Sequence, residues 1–193
     1  WDASYNYGDS RIDFHTRNTL NVSLGPTSPT SFYDGALETT QNIVNLDLKR
    51  GFDWGLAYPV TVAFGAEYRN EKWKQLPGEV GSYFQSGTLA AGAQGFGGFA
   101  PSVSGHYARD SYALYADLEA DVTDTFSAGL AGRYEDYSDF GNQASGKVSA
   151  RYAFTDKIAL RGTVASGFRA PSLAQQFFQT TSTTFLPGNP NPF

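Results

Sequence analysis

Apolar and polar residues alternate with a period of two along most of this chain, and that period admits strands and little else. In residues 110–121, Tyr112, Leu114, Ala116, Leu118 and Ala120 share one face, while Ser111, Tyr115, Asp117, Glu119 and Asp121 share the other. A helix would scatter the apolar set around its circumference. The pattern recurs in residues 41–49, 60–69, 125–135, 147–154 and 158–168. Two weaker stretches, Trp1–Tyr7 and residues 13–24, precede these. The expectation is an all-β, antiparallel, up-and-down meander of about eight strands.

The connections carry a second regularity. Residues 8–11, 51–59, 122–124 and 155–157 read as short links; residues 25–40, 75–109 and 136–146, and the stretch from 170 onward, read as long ones. Short and long alternate along the chain. In a meander, alternate links fall at opposite ends, so one end has short turns and the other long loops. Outer-membrane barrels have this asymmetry.

One face of the strands mixes charges (Glu67, Arg69, Asp117, Glu119, Arg133, Arg151, Arg161) with small residues. The other is aliphatic and aromatic. Tyr112, Phe126, Tyr134, Tyr152, Phe154 and Phe168 fall near strand ends, as the girdle of a membrane barrel requires. A soluble sandwich would show the same period with its apolar face inward, so the pattern alone leaves both open. Mean hydropathy is -0.37, and no run approaches the ~18 apolar residues of a membrane helix. That does not count against a barrel, whose strands need only alternate. No Cys is present, which excludes disulfides and thiolate metal sites. The net charge of -5 argues against a nucleic-acid surface. The start at Trp1 has neither the basic nor the apolar part of a signal peptide, as expected for an internal piece of a mature protein.

Motifs that imitate chemistry fail on inspection. Residues 162–167 have the glycine spacing of a phosphate loop, but Phe168 and Arg169 stand where Lys and Ser or Thr are required. Residues 136–147 imitate a calcium loop, but Ser138, Phe140 and Lys147 occupy ligand positions. His15 and His106 lie far apart. The triplet Asn21-Val22-Ser23 is a glycosylation signal that a bacterial source would make irrelevant. No nucleophile, base and orienting acid form a set, so no catalytic residue, metal or cofactor is expected.

Four segments carry a family resemblance in order along the chain. They are Ser28-Pro29-Thr30-Ser31-Phe32-Tyr33-Asp34-Gly35, Ala63-Phe64-Gly65-Ala66-Glu67-Tyr68-Arg69, Ala131-Gly132-Arg133-Tyr134-Glu135-Asp136-Tyr137-Ser138-Asp139-Phe140-Gly141, and Ala165-Ser166-Gly167-Phe168-Arg169-Ala170-Pro171-Ser172-Leu173. Together they resemble the barrel domain of TonB-dependent receptors, the last being similar to that family's GFRAPS segment. The resemblance implies a partial wall of a 22-stranded transmembrane barrel, roughly a third of it. Residues 1–193 would be an internal fragment, with the plug domain and the barrel-closing strands outside it. The chain would stop at residues 188–193, in an extracellular loop, and would leave two open sheet edges.

The implied function is energised uptake of a scarce nutrient, such as a ferric siderophore, cobalamin or a carbohydrate, across a bacterial outer membrane. The implied partners are the lipid bilayer, the receptor's own plug, the TonB complex acting through that plug, and a small-molecule ligand. A structural or adhesive β-protein without transport is the alternative, and an outer-membrane enzyme ranks last. The ligand-facing candidates are Glu67, Arg69, Arg133, Arg161 and Arg169, and a solvated, ion-paired wall explains the same residues more plainly. The Gly- and aromatic-rich stretch 75–109 is the candidate ligand-closing loop.

Overall fold

The computed structural model of the chain describes residues 1–181. The stop expected at residues 188–193 lies outside the described residues. Seven strands form one sheet in sequence order. They are β1 (Asp2–Arg17), β2 (Ser31–Phe52), β3 (Val60–Pro77), β4 (Gly105–Asp121), β5 (Phe126–Tyr137), β6 (Gly141–Thr155) and β7 (Ile158–Ala165). The pairs β4–β5, β5–β6 and β6–β7 are antiparallel. Short helices α1 (Val80–Tyr83) and α2 (Leu173–Phe177) lie outside the strands. No described helix is long and apolar enough to cross a membrane.

The all-β meander stands, with seven strands rather than eight. The two weak N-terminal candidates are a single strand that runs straight through the expected link at 8–11 and ends at Arg17. Asn18 then takes a left-handed backbone, φ 55, and a 3-10 turn occupies Val22–Thr27. The two longest loops are shorter than expected, 18–30 and 78–104, because β2 and β3 continue past the alternating region. The link expected at 136–146 is a tight turn at 138–140, since the β5–β6 ladder runs to Tyr137↔Gly141.

The chain divides into two compact units. The first comprises Trp1–Tyr7, Gln41–Asn70 and Arg109–Pro171. Its register aligns apolar side chains into rows across strands: Leu118 opposes Leu130, Leu130 opposes Val148, and Val148 opposes Val164. These even positions are not sealed. Leu130 and Val148 are 58% exposed and Val164 is 78% exposed. Val44, Leu46, Phe64, Leu114 and Leu160 are exposed as well. Val60, at the start of β3, is an exception and is buried. In a sandwich this face would be the covered core. Among the described residues of this unit no second layer lies over it, so the apolar face is outermost, as a lipid-facing wall requires.

The opposite face is tied together by close contacts. Tyr115 of β4 lies over Gly65 of β3 so tightly that a Cβ there would strike its ring. From that position the Tyr115 hydroxyl donates to the Asp47 carboxylate on β2. Glycine is required at 65 because three strands share one tyrosine.

The second unit comprises Gly8–Thr40, Glu71–Ala108 and residues from Ser172 onward. A spanning strand needs ~9–11 residues, and β2 has 22. The apolar alternation of β2 runs over Val44–Leu48, so its first ten residues fall outside the membrane-spanning stretch. Phe32, Ala36, Trp73, Phe99 and Leu173 form the core of this unit. Loop 78–104 is stapled onto β2: Glu79 N donates to Tyr33 O at 2.9 Å, and Phe99 N to Asp34 O at 2.8 Å. Asn21 Nδ2 donates to Gly81 O and Phe84 O at 2.8 and 3.0 Å. Ser82 sits at the centre of this knot, its carbonyl accepting from Ala93 N and Gly98 N, each at 3.0 Å.

The orientation of the wall gives a directional expectation for the intact protein. Leu130→Arg places a guanidinium on the outward face and should cost about 2–4 kcal/mol at mid-bilayer depth. Ala131→Arg, at the next position on the opposite face and between Asp117 and Lys147, should cost under about 1 kcal/mol. Reversible folding into lipid vesicles measures both, and equal costs would contradict the orientation.

Candidate functional site in the polar wall

Four candidate residues lie in the first unit's polar face, and three of them meet. Glu67 and Arg69 alternate on β3, so both point to the same side. Arg69 Nη2 donates to Glu67 Oε1 at 3.1 Å, and Arg133 Nη2 approaches the same oxygen at 3.4 Å. Arg133 Nε then donates to Glu135 Oε1 at 2.8 Å. Arg133 and Glu135 belong to β5, so the contact to Glu67 passes over β4. The β4 residue opposite Glu135 is Ala113, whose methyl group leaves room for it. The result is a chain of alternating charge, Arg69–Glu67–Arg133–Glu135. Each member is only partly shielded, so each pair contributes little on its own, about 0–1 kcal/mol. The Arg69 Nε is buried with no partner among the described residues.

Arg161 does not join this group. It stands opposite Arg151, in a polar cleft of about 340 Å³ that Glu119, Asp121, Ser127 and Ser149 also line. Arg169, the fifth candidate, is exposed on the segment after β7. Two residues that the sequence reading passed over are more deeply engaged. Glu135 completes the charge chain. Arg109 had been placed in the long loop, but β4 begins at Gly105 and carries it.

Arg109 is 4% exposed. Its Nη1 donates to Pro171 O at 2.8 Å and lies 3.6 Å from Asp139 Oδ2. Its guanidinium sits over the rings of Tyr137 and Phe140, at 5.5 and 5.9 Å. Phe168 packs against those same rings. The segment 165–171 is therefore clamped by one buried cation, a carbonyl and three aromatic rings. Ser166 adds a backbone hydrogen bond to Gly146 O at 2.8 Å.

In the second unit, outside the membrane-spanning stretches, charges are again paired. Arg11 bridges Asp13 and Glu38 at 2.9 and 2.6 Å, and Lys74 binds Glu38 at 3.0 Å. The hydrogen bond from Arg11 holds the Asp13 carboxyl below the usual range, and Lys74 does the same for Glu38. Asp34 behaves oppositely. It is 1% exposed, its Oδ2 accepts the Thr16 hydroxyl at 2.5 Å, and its Oδ1 has no partner among the described residues. Burial pushes this carboxyl up, and Glu79 adds to the rise, while Thr16 and His15 oppose it.

The family described as TonB dependent receptor-like, beta-barrel matches residues 1–193. Among solved structures, the chain is similar to the siderophore receptor PirA from Acinetobacter baumannii, with a TM-score of 0.51 and 18% sequence identity. The likeness covers 88% of this chain and 22% of that receptor, so the chain spans about a fifth of the receptor's length. At that identity it speaks for the fold alone. Comparison with curated proteins finds no match.

Two measurements check this geometry. The raised Asp34 carboxyl favours the folded state while protonated. That contribution is complete below the ordinary aspartate value of about 4 and is lost as pH rises through the higher folded value. Protection of the Phe99 amide in hydrogen exchange, corrected for intrinsic rate, should therefore fall with rising pH. In Asp34→Asn, whose amide oxygen can still accept from Thr16, the slope should flatten. An identical slope in both proteins would remove Asp34 as its cause. Arg109→Ala removes a buried cation together with its contacts to Asp139 and the Pro171 carbonyl and should cost about 3–5 kcal/mol. Equilibrium unfolding measures this loss.

Proposed function

The chain belongs to the TonB-dependent receptor-like β-barrel family, and from that premise we propose that it forms part of the wall of a gated importer for a scarce nutrient. Barrels of this family reside in bacterial outer membranes, and its members are transporters rather than enzymes. One observation carries the reading: a single sheet with a bare apolar face on one side and charged side chains on the other. Such a sheet separates lipid from a polar passage.

In this role the segment supplies wall, loops and part of the lumen surface. With Glu135, the residues Glu67, Arg69 and Arg133 give that surface a neutralised chain, Arg161 stands in a cleft of balanced charge, and Arg169 adds positive charge beyond β7. Loop 78–104 is stapled onto β2, so closure over a ligand would fall to its exposed stretch, residues 85–88. The energetic step belongs to a plug and to the TonB complex, both proposed as partners on the family premise. A ferric siderophore is the cargo put first, because a protein of similar fold carries the name of a siderophore receptor. Cobalamin and carbohydrates are the other classes.

The test is transport in a deletion strain. Cells lacking the gene should lose uptake of labelled ferric siderophore under iron limitation, and restoring the gene should recover it only while TonB is functional. Normal growth of the deletion strain on limiting iron, cobalamin and carbohydrates alike would replace the importer with a structural or adhesive wall.

A further inference from the structure

The cross-strand register places two arginines against each other. Arg151 of β6 and Arg161 of β7 are directly opposed. Residues so placed share a face, with Cβ atoms about 4.5–5.5 Å apart, and like charges there are destabilising. The row continues through Ser127 of β5 to Asp121 of β4. Strands are spaced ~4.8 Å apart, so Asp121 lies roughly 10 Å from Arg151 and roughly 14 Å from Arg161 along the sheet. Among the described residues neither guanidinium has an ion pair or hydrogen bond. Elsewhere in this unit Arg69, Arg133 and Arg109 all have partners. Two like charges held in register on the polar face favour an anion between them.

The surroundings narrow its chemistry. The cleft of about 340 Å³ has Glu119 and Asp121 on one side, the two arginines on the other, and Ser127 and Ser149 between them. The four charged side chains already sum to zero, so a dianion such as phosphate would leave a larger negative excess than a monoanion. Two guanidiniums and flanking hydroxyls suit a planar, singly charged acceptor. We propose that Arg151 and Arg161 together hold a carboxylate, forming a two-armed fork on the polar wall beside the short turns at 122–125 and 156–157. The carboxylate comes from a small acid in solution or from another part of the same protein. The proposal rests on the importer reading only in placing this face in a lumen.

The experiment uses the intact receptor in nanodiscs, with Arg151→Gln, Arg161→Gln and the conservative Arg161→Lys, and with benzoate, a planar monoanion, as the diffusible probe. If the acid comes from solution, benzoate binds by calorimetry. Either Gln variant then weakens it roughly tenfold or more, as loss of a charged hydrogen bond does, and Arg161→Lys retains part of the affinity. If the protein supplies the acid, benzoate does not bind. The Gln variants then melt lower than wild type, Arg161→Glu lower still, and Arg161→Lys close to wild type. Both outcomes support the fork and identify its source. A pair that holds nothing gives the opposite sign, because removing one arginine relieves a repulsion. No benzoate binding that depends on these residues, with a melting temperature unchanged or higher in Arg161→Gln, would overturn the proposal. Fork effects that persist while the deletion strain shows no transport defect would discard the importer and leave the fork.

Discussion

Backbone hydrogen bonding in a medium without water is the constraint on which the structure depends. Inside a hydrocarbon layer each unpaired N–H or C=O costs several kcal/mol, which leaves helices and laterally paired strands as the viable forms. The described residues include no long apolar helix, so the strands must pair side by side, and their pleat sends alternate residues to opposite faces. The bare row Leu130–Val148–Val164 and the charged chain Arg69–Glu67–Arg133–Glu135 are two products of that one requirement. An apolar face without a covering layer would be a liability in water; against lipid it is a solvated surface.

The same logic explains how much of the fold was legible in the sequence. From β2 to β7, within the apolar band, every strand was visible, because lipid on one side and water on the other enforce a strict period of two. Outside that band the enforcement lapses. Residues 31–40 contain buried Asp34 and half-buried Glu38, and residues 8–11 are wholly exposed, yet all are strand. Their pairing comes from ladders continuing past the membrane, which hydropathy does not register. Hence β1 read as two pieces and the loops read too long. The turn at 138–140 misled for a related reason. Asp136, Asn142 and Gln143 are polar on both sides of it, but the register holds them paired.

Among the site residues, the face of Glu67, Arg69, Arg133 and Arg161 followed from parity alone. Their partners did not. Whether an arginine is neutralised depends on which residue register places beside it, and on small residues such as Ala113 that let a side chain cross an intervening strand. Arg109 was misplaced because the glycines of loop 78–104 hide the start of β4. Its burial against Tyr137 and Phe140, on which Phe168 packs, gives the Phe168-Arg169-Ala170-Pro171 segment a mechanical explanation: that stretch is where the chain leaving β7 is fastened.

The fastening also bears on assembly order. The bond between Arg109 and the Pro171 carbonyl spans 62 residues, and between its ends lie β4, β5, β6 and β7 together with their three hairpin turns. The bond can close only when all three ladders hold the correct register. A slip by one residue would exchange the two faces of a strand and leave a guanidinium buried opposite nothing. The clasp therefore works as a checkpoint on strand pairing: it rewards the completed four-strand register and penalises each misaligned one.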